Sequence, residues 1–245
     1  MNEIIDSIKN RKSVRVFEDK PIGEKEKSVI IDAALQAPTA GNMTLYTIID
    51  VTDKALKDTL AVTCDNQPFI AKAPLVLVFC ADYYRWIQVF KKYVDDVRSP
   101  SYGDLFLCNA DALIAAQNAV VAAESMGIGS CYIGDITENF EKHRELLGLP
   151  DYVVPACMLC FGYPAKSQKE RKKPLRFRAE DIVFENAYNK AKADDMEAML
   201  SARQNIPMEE IGEYIRKFCN RKHNSGFSKE MSRSCKVMVD FFTGK

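Results

Sequence analysis

Residues 104–134 read DLFLCNADALIAAQNAVVAAESMGIGSCYIG, and this segment gives the clearest indication of the fold class. Its first part, residues 104–126, is rich in alanine and apolar on almost every side, which predicts a long helix that threads the core. Gly127 stands where a left-handed glycine commonly ends a helix. Residues 130–133 then resume an extended chain. A buried helix that leads into a strand predicts a domain built from helices and a sheet.

The flanking sequence supplies the rest of that sheet and its covering helices. Residues 46–51, 75–81 and 152–161 are short apolar runs bounded by turn residues, which is typical of buried strands. Helical patterns are predicted between Asn2 and Asn10, between Pro21 and Pro38, over 53–62, 84–97 and 138–147, and two or three more over 194–242, with Pro207 near the start of one. Residues 166–178 are predicted to form a polar loop. The economical interpretation is one α+β domain with a helical C-terminal extension.

The charges of the chain balance. Its 245 residues contain 34 Lys and Arg and 34 Asp and Glu, so the net charge favours neither a nucleic-acid nor a membrane partner. The eight cysteines are too few for a disulfide scaffold at this length, which favours a reducing compartment. The acidic start of the chain differs from a secretory signal, and no apolar run approaches the length of a membrane span. We therefore expect a cytoplasmic protein.

Histidine and cysteine give little support for a metal or redox site. The only histidines, His143 and His223, stand in polar surroundings, which predicts surface positions. Cys157 and Cys160 have CxxC spacing but lie in a predicted strand, where an offset of three points the two thiols to opposite faces. A redox pair needs a helix N-terminus instead. We therefore assign these cysteines to packing.

The glycines at 127, 129 and 134 do not form a dinucleotide fingerprint. That fingerprint runs from a strand through a glycine turn into a helix, whereas here a helix ends at the glycines and a strand follows. These glycines are better explained by a helix stop and a close backbone approach to something flat or bulky. A GxSxG motif is also absent from the sequence, so no hydrolase triad is predicted.

Two basic clusters are candidates for an anion site. Arg11, Lys12, Ser13 and Arg15 offer three cations and a hydroxyl within five residues, a set that suits a phosphate. Residues 166–178 carry seven cations against Glu170 alone. On composition alone, a solvated turn is the commoner explanation of both clusters. Nucleic-acid binding by the second cluster is disfavoured by the zero net charge and the lack of interleaved aromatic residues.

The order of several motifs resembles the FMN-dependent nitroreductase family, and in particular its larger, NADPH-preferring flavin reductase branch. The matching segments are R-x-S-x-R-x-F at 11–17, A-P-T-x-x-N at 37–42, Asn66-Gln67-Pro68-Phe69, G-x-G-x-x-x-I-G at 127–134, F-G-Y-P at 161–164 and Lys173-Pro174-Leu175-Arg176. The resemblance spans residues 1–190. It implies a nitroreductase-like α+β fold with a central mixed, mostly antiparallel sheet flanked by helices, an FMN-binding domain over residues 1–190 and a helical extension over residues 191–245.

The resemblance also implies a homodimer with one FMN at each subunit interface. The positions carried over as FMN contacts are Arg11, Lys12, Ser13 and Arg15 for the phosphate and ribityl chain, Lys173 and Arg176 for the phosphate, Thr39 and Asn42 from the partner subunit, Gln67 for the ring, and the backbone of Tyr132, Ile133, Gly134 and Asp135 for the N5/O4 edge. Glycine at 134 suits this role because a Cβ would crowd the isoalloxazine. Arg221 and Arg233 are candidates for the nicotinamide dinucleotide phosphates.

Two positions depart from the family pattern. Thr44 stands where many members have Gln, and the late basic motif is Lys-Pro-Leu-Arg instead of Lys-Pro-Arg, so Arg176 fits the pattern better than Lys173.

The activity that the resemblance implies is ping-pong hydride transfer from NADPH or NADH through flavin N5 to a nitroaromatic, quinone or flavin acceptor. A same-fold reductive dehalogenase, a flavin-fragmenting enzyme and a non-catalytic flavin-binding protein are the alternatives.

Overall fold

A computed structural model describes residues 2–244. It divides into two compact units, of which one runs to Arg171 and resumes at Glu230, and the other is Lys172–Lys229. The predicted boundary at residue 190 came from the family resemblance and stays a prediction.

The strands of the described residues are β1 (Tyr46–Asp50), β2 (Leu75–Asp82), β3 (Gly129–Ile133) and β4 (Val153–Gly162). The helices are α1 (Glu3–Asn10), α2 (Glu24–Leu35), α3 (Lys54–Thr63), α4 (Phe69–Lys72), α5 (Tyr84–Tyr93), α6 (Tyr102–Ser125), α7 (Phe140–Leu147), α8 (Lys166–Glu170), α9 (Ala179–Ile182), α10 (Lys190–Asp194), α11 (Met196–Gln204), α12 (Met208–Lys222) and α13 (Gly226–Thr243), with 3-10 turns at Ala40–Asn42 and Gly134–Thr137. Every predicted strand is present within about two residues of its predicted bounds.

The four strands form one sheet in the order β1-β2-β4-β3, with antiparallel pairing throughout. A parallel element comes from an isolated bridge between Ser13 and Ser130 at the β3 edge. The prediction of a mostly antiparallel mixed sheet flanked by helices is therefore confirmed.

The core lies on both faces of this sheet. Leu75, Leu77 and Phe79 of β2 pack with α2 and α6, whereas the alternate residues Val76 and Val78 pack with α3 and α4. This alternation follows from the two-residue period of a strand. Cys157 and Cys160 belong to opposite clusters, as the odd spacing predicted.

Helix α6 has one buried and one exposed face, so the prediction that it threads the core is only half right. Ala112, Ala116 and Val120 are fully buried, whereas Phe106 is 76% and Leu107 50% exposed. By length and hydropathy alone this helix could cross a membrane, which corrects the expectation that no apolar run approaches a membrane span. In the fold it packs against α2 and the sheet through its buried face.

Two other segments differ from their predicted conformation. The predicted helix over residues 84–97 ends at Tyr93, where Val94 turns to an extended conformation. The segment 166–178, predicted as a polar loop, begins with α8, whose five residues include an exposed Lys166–Glu170 pair spaced i to i+4.

Candidate functional site

The basic segment 11–17 lies along the open edge of β3. The backbone N–H of Val14 donates to the carbonyl of Ser130 at 2.9 Å, and Phe17 bridges to Pro164 in the antiparallel sense. Because the bridge between Ser13 and Ser130 is parallel, the segment runs in the direction of β3. Arg15 therefore comes about level with Tyr132, next to the end of the strand.

Glycines permit this close approach, as the sequence predicted. A Cβ on Gly129 would lie 2.5 Å from Cγ2 of Val14, and one on Gly162 would lie 2.5 Å from Cδ1 of Phe17. Gly127, with φ of +72°, ends α6. Gly134 is different, because a Cβ there would meet no atom of the described residues within 4 Å. The space above Gly134 is thus available to a ligand.

The first part of the second basic cluster packs against the first. Lys12 Nζ donates to the carbonyl of Lys169 at 2.8 Å and also to that of Arg171, whose guanidinium donates to the carbonyl of Ser13. The Gln168 side chain accepts from the backbone N–H of Arg15 at 3.3 Å. Sequence analysis did not single out Gln168 or Arg171. Their position within the basic segment 166–178 was the one sequence feature that could have indicated them.

Arg11 carries an unsatisfied donor beneath this segment. Its Nε is buried and has no hydrogen-bond partner among residues 2–244, and the same holds for Oε1 of Glu124 on α6. Burial raises the pKa of Glu124, and the positive charge of Arg11 opposes that shift. A buried guanidinium donor without a partner is costly, so it marks a place where an anion or a polar ligand group would be stabilised.

Thr39 and Asn42 belong to the turn between α2 and β1. Asn42 is exposed and has φ of +56°, and Thr39 is half-buried with its hydroxyl accepting from the backbone N–H of Thr44 at 3.1 Å. This places Thr44, the position that departs from the family pattern, within the same turn.

Gln67 lies in a tight turn after α3. Its side-chain nitrogen donates to the carbonyl of Cys64 at 2.9 Å, and its backbone N–H donates to Ala61 at 2.7 Å. The side chain is half-buried with its nitrogen held locally, which leaves the amide oxygen as the acceptor that a ligand would meet.

Residues 132–135 form the end of β3 and the start of a 3-10 turn. The Tyr132 hydroxyl donates to Gln117 of α6 at 3.3 Å, and burial raises the pKa of that phenol. Ile133 is buried, whereas Gly134 is exposed and Asp135 half-exposed. The hydroxyl of Thr137 closes the turn by donating to the carbonyl of Gly134 at 2.9 Å. The backbone therefore turns with its outer side presented to solvent.

His143 is fully buried, so its predicted surface position is wrong. Its Nδ1 lies 2.9 Å from the carbonyl of Ile136 and its Nε2 lies 2.8 Å from Thr63 Oγ1, which links α7 to the 134–137 turn and to α3. Burial lowers the pKa of His143. Helix α7 turns Phe140 and His143, three residues apart, toward the core, and that spacing was the signal for burial. His223 is exposed as predicted.

Glu138 adds a buried carboxyl beside the same turn. It is 5% exposed, and burial together with the charges of Asp135, Asp65 and Glu230 raises its pKa to about 7. The end of β3 therefore lies next to a group that titrates near neutrality.

Arg233 is already engaged within the chain. Its guanidinium donates to both carboxylate oxygens of Glu141 at 2.7 and 3.0 Å and to those of Glu230 at 2.8 Å, and the Arg233 side chain lowers the pKa of Glu141 to about 2. A role for Arg233 at a dinucleotide phosphate stays a prediction.

Lys173, Arg176 and Arg221 belong to the second unit. Arg176 is exposed and donates to the carbonyl of Pro174 at 3.4 Å, and the Arg221 guanidinium lies 5.4 Å from the centre of the Phe218 ring. Their predicted approach to phosphates stays a prediction.

Comparisons with known proteins identify the family of the chain. Residues 8–163 match the model of the nitroreductase family. The chain is 34% identical over 233 residues to FMN reductase (NADPH) of Bacillus subtilis, covering 94% of this chain and 90% of that one. It is 36% identical to the oxygen-insensitive NADPH nitroreductase of Salmonella typhimurium, over 77% of this chain and 75% of that one.

A solved structure is similar in fold. The NADPH:FMN oxidoreductase of Vibrio harveyi, complexed with NAD+, superposes with a TM-score of 0.75 at 31% identity, over 90% of this chain and 98% of that chain. The family model covers more than half of the sequence, and both curated relatives are above 30% identity over most of their length. The chain belongs to the nitroreductase family.

Proposed function

We propose that this chain, an FMN-dependent NAD(P)H oxidoreductase, binds FMN along β3 and reduces small acceptors such as nitroaromatics, quinones or flavins. The observation that carries the proposal is the alignment of the Arg11–Arg15 segment with β3, which ends at the open space above Gly134. This arrangement offers cations for a phosphate and a flat, unobstructed backbone for a ring on one continuous edge.

The residues present fit FMN. Arg11 has a buried donor without a partner, Arg15 is exposed with its backbone held by Gln168, and Lys12 fastens the two basic segments together. We propose that Arg11, Lys12, Ser13 and Arg15 hold the phosphate and ribityl chain, and that Gln67 and the backbone of residues 132–135 contact the ring. When bound, FMN would accept a hydride from the nicotinamide at N5 and return the electrons to the acceptor.

We also propose that the two substrates bind in turn at the same place. With the flavin ring against Gly134, a nicotinamide ring and, after it has left, an acceptor would bind in turn on the free face of that ring, which is the basis of a ping-pong sequence. Initial rates at several fixed NADPH concentrations test this order. Parallel double-reciprocal lines are expected, and intersecting lines would show a ternary complex instead.

A homodimer is proposed from the outer face of α6. Phe106 is 76% and Ile114 41% exposed, and with Leu113 they line one side of the helix. An exposed apolar surface of this kind usually marks a contact with another protein chain. In such a dimer Thr39 and Asn42 would reach the FMN bound to the partner subunit.

A cytoplasmic location is also proposed. It is supported by the free thiols of the chain, of which six are buried.

Anaerobic titration of the purified yellow protein tests the activity. Stoichiometric NADPH is expected to bleach the flavin absorbance, and a quinone added afterwards to restore it. A flavin that stays oxidised under excess NADPH and NADH would leave only a flavin-binding role.

A further inference from the structure

The turn that carries Thr39 and Asn42 has an unfavourable backbone. Gly41 and Asn42 both have φ of +56°, and Thr44 has φ of +53°. The left-handed region is rarely occupied by a β-branched residue such as threonine, so the turn needs support from its surroundings. Two elements outside the turn provide that support.

Helix α6 holds the two ends of the turn through Asp111. This carboxylate is 3% exposed, and its oxygens accept from the backbone N–H of Ala40 at 2.9 Å and from that of Leu45 at 3.2 Å. The Asp111 side chain thus ties together two amides that are five residues apart. Hydrogen bonds to a charged acceptor are stronger than those between neutral groups.

Helix α5 holds the carbonyls of the same turn. Trp86 Nε1 donates to Met43 at 2.7 Å, and the Arg85 guanidinium donates to Thr44 at 3.3 Å and to Tyr46. Asp111, Arg85 and Trp86 together are called the turn clamp. They satisfy buried or half-buried backbone groups that the left-handed residues leave without helix or sheet partners.

We infer that the turn clamp, with Asp111 at its centre, positions Thr39 and Asn42 for FMN. The inference rests on the proposed function, because it takes these two residues as FMN contacts. The turn clamp hydrogen-bonds to backbone groups of the turn, whereas Asn42 is exposed and Thr39 is half-exposed. Asp111, Arg85 and Trp86 are thus positioning residues, since they act through the backbone of the turn.

Asp104 provides a matched control on the same helix. It is also a buried aspartate, at 7% exposure, but it pairs with Arg98 at 2.5 and 2.9 Å and accepts from the backbone N–H of Ser101 at 2.9 Å. Its hydrogen bonds are local to residues 98–104 and none reaches the 39–46 turn. Asp111→Asn and Asp104→Asn therefore make the same chemical change with different structural consequences.

The experiment compares FMN release and hydrogen exchange in the full-length holoproteins. FMN release on dilution is followed by flavin fluorescence, hydrogen exchange is measured on the peptide that spans residues 39–46, and melting temperature is recorded for each variant. Asp111→Asn is expected to weaken FMN binding at least about tenfold and to speed exchange in the turn. Asp104→Asn is expected to lower the melting temperature while FMN affinity stays within about twofold of wild type.

Equal FMN affinity in Asp111→Asn and wild type, with faster exchange in the turn, would overturn the inference. A wild-type protein that binds no FMN would instead overturn the proposed function, so the two failures are distinct. If Asp111→Asn does not fold, Trp86→Phe removes the indole donor and leaves a smaller aromatic ring at the position where the indole lies 5.4 Å from the ring of Phe90. This variant is expected to raise FMN release about threefold while the protein stays folded, and an unchanged release rate would contradict the clamp.

Discussion

The substitution Gly134→Ala is expected to change FMN affinity and the free energy of unfolding in opposite directions. The backbone there lies outside the left-handed region, and a Cβ would meet no atom of the described residues within 4 Å. Gly134→Ala should therefore leave the fold intact. It should even raise the free energy of unfolding by about 0.4–1 kcal/mol, because alanine loses less backbone entropy on folding than glycine does.

FMN affinity should move in the opposite direction. If the isoalloxazine lies against Gly134, the new methyl occupies its place, and forcing one extra carbon into a close contact costs about 1–3 kcal/mol. That cost corresponds to an affinity loss of about 5- to 150-fold. The assay is urea unfolding of the ligand-free protein together with fluorescence titration of FMN.

Two other glycines serve as controls for this prediction. A Cβ on Gly103 also meets nothing within 4 Å, so Gly103→Ala should gain stability and keep its FMN affinity. A Cβ on Gly129 would lie 2.5 Å from Val14, so Gly129→Ala should lose about 1–3 kcal/mol of stability. If Gly134→Ala binds FMN as tightly as Gly103→Ala does, the ring does not lie against Gly134 and the reasoning fails.

Three further predictions concern the phosphate, pH and assembly. Arg11→Met should weaken FMN binding by about 1.5–3 kcal/mol, measured by FMN release, and unchanged release would remove Arg11 from the site. Burial lowers the His143 pKa below its unfolded value of about 6.5, so the unfolded chain binds more protons and stability falls as pH drops through that value. The raised pKa of Glu138 adds a slope of opposite sign in the same window, so the His143 contribution is read as the difference in slope between wild type and His143→Gln in urea unfolding between about pH 5 and 8. Equal slopes in the two proteins would exclude a contribution from His143. Phe106→Glu should convert the proposed dimer to a monomer in light scattering, and a variant that keeps wild-type mass would place the interface elsewhere.

Much of the fold could be predicted because its signals are local. The strand 75–81 and the cap at Asn2, whose side chain accepts from the backbone N–H of Ile5, depend on neighbours within a few residues. The close approach at Gly129 was also predictable, since glycine beside a strand indicates crowding. The order of the motifs then supplied the family.

Long-range contacts could not be predicted in the same way. His143 is surrounded in sequence by charged residues, yet its ring bonds to Thr63, 80 residues away. Asp111 is one of three acids in α6, and nothing nearby in the sequence indicated that it holds a turn about 70 residues earlier. The exposed face of α6 was missed because an apolar helix carries no sign of which side the rest of the chain covers.

A crystal structure of the FMN-loaded protein would show directly whether FMN binds along β3. We expect the phosphate within hydrogen-bonding distance of the Arg11 guanidinium, whose Nε has no partner among residues 2–244, and the flavin ring against Gly134 at the end of β3. A flavin bound elsewhere, with Arg11 Nε still unpaired and the space above Gly134 still open, would contradict it.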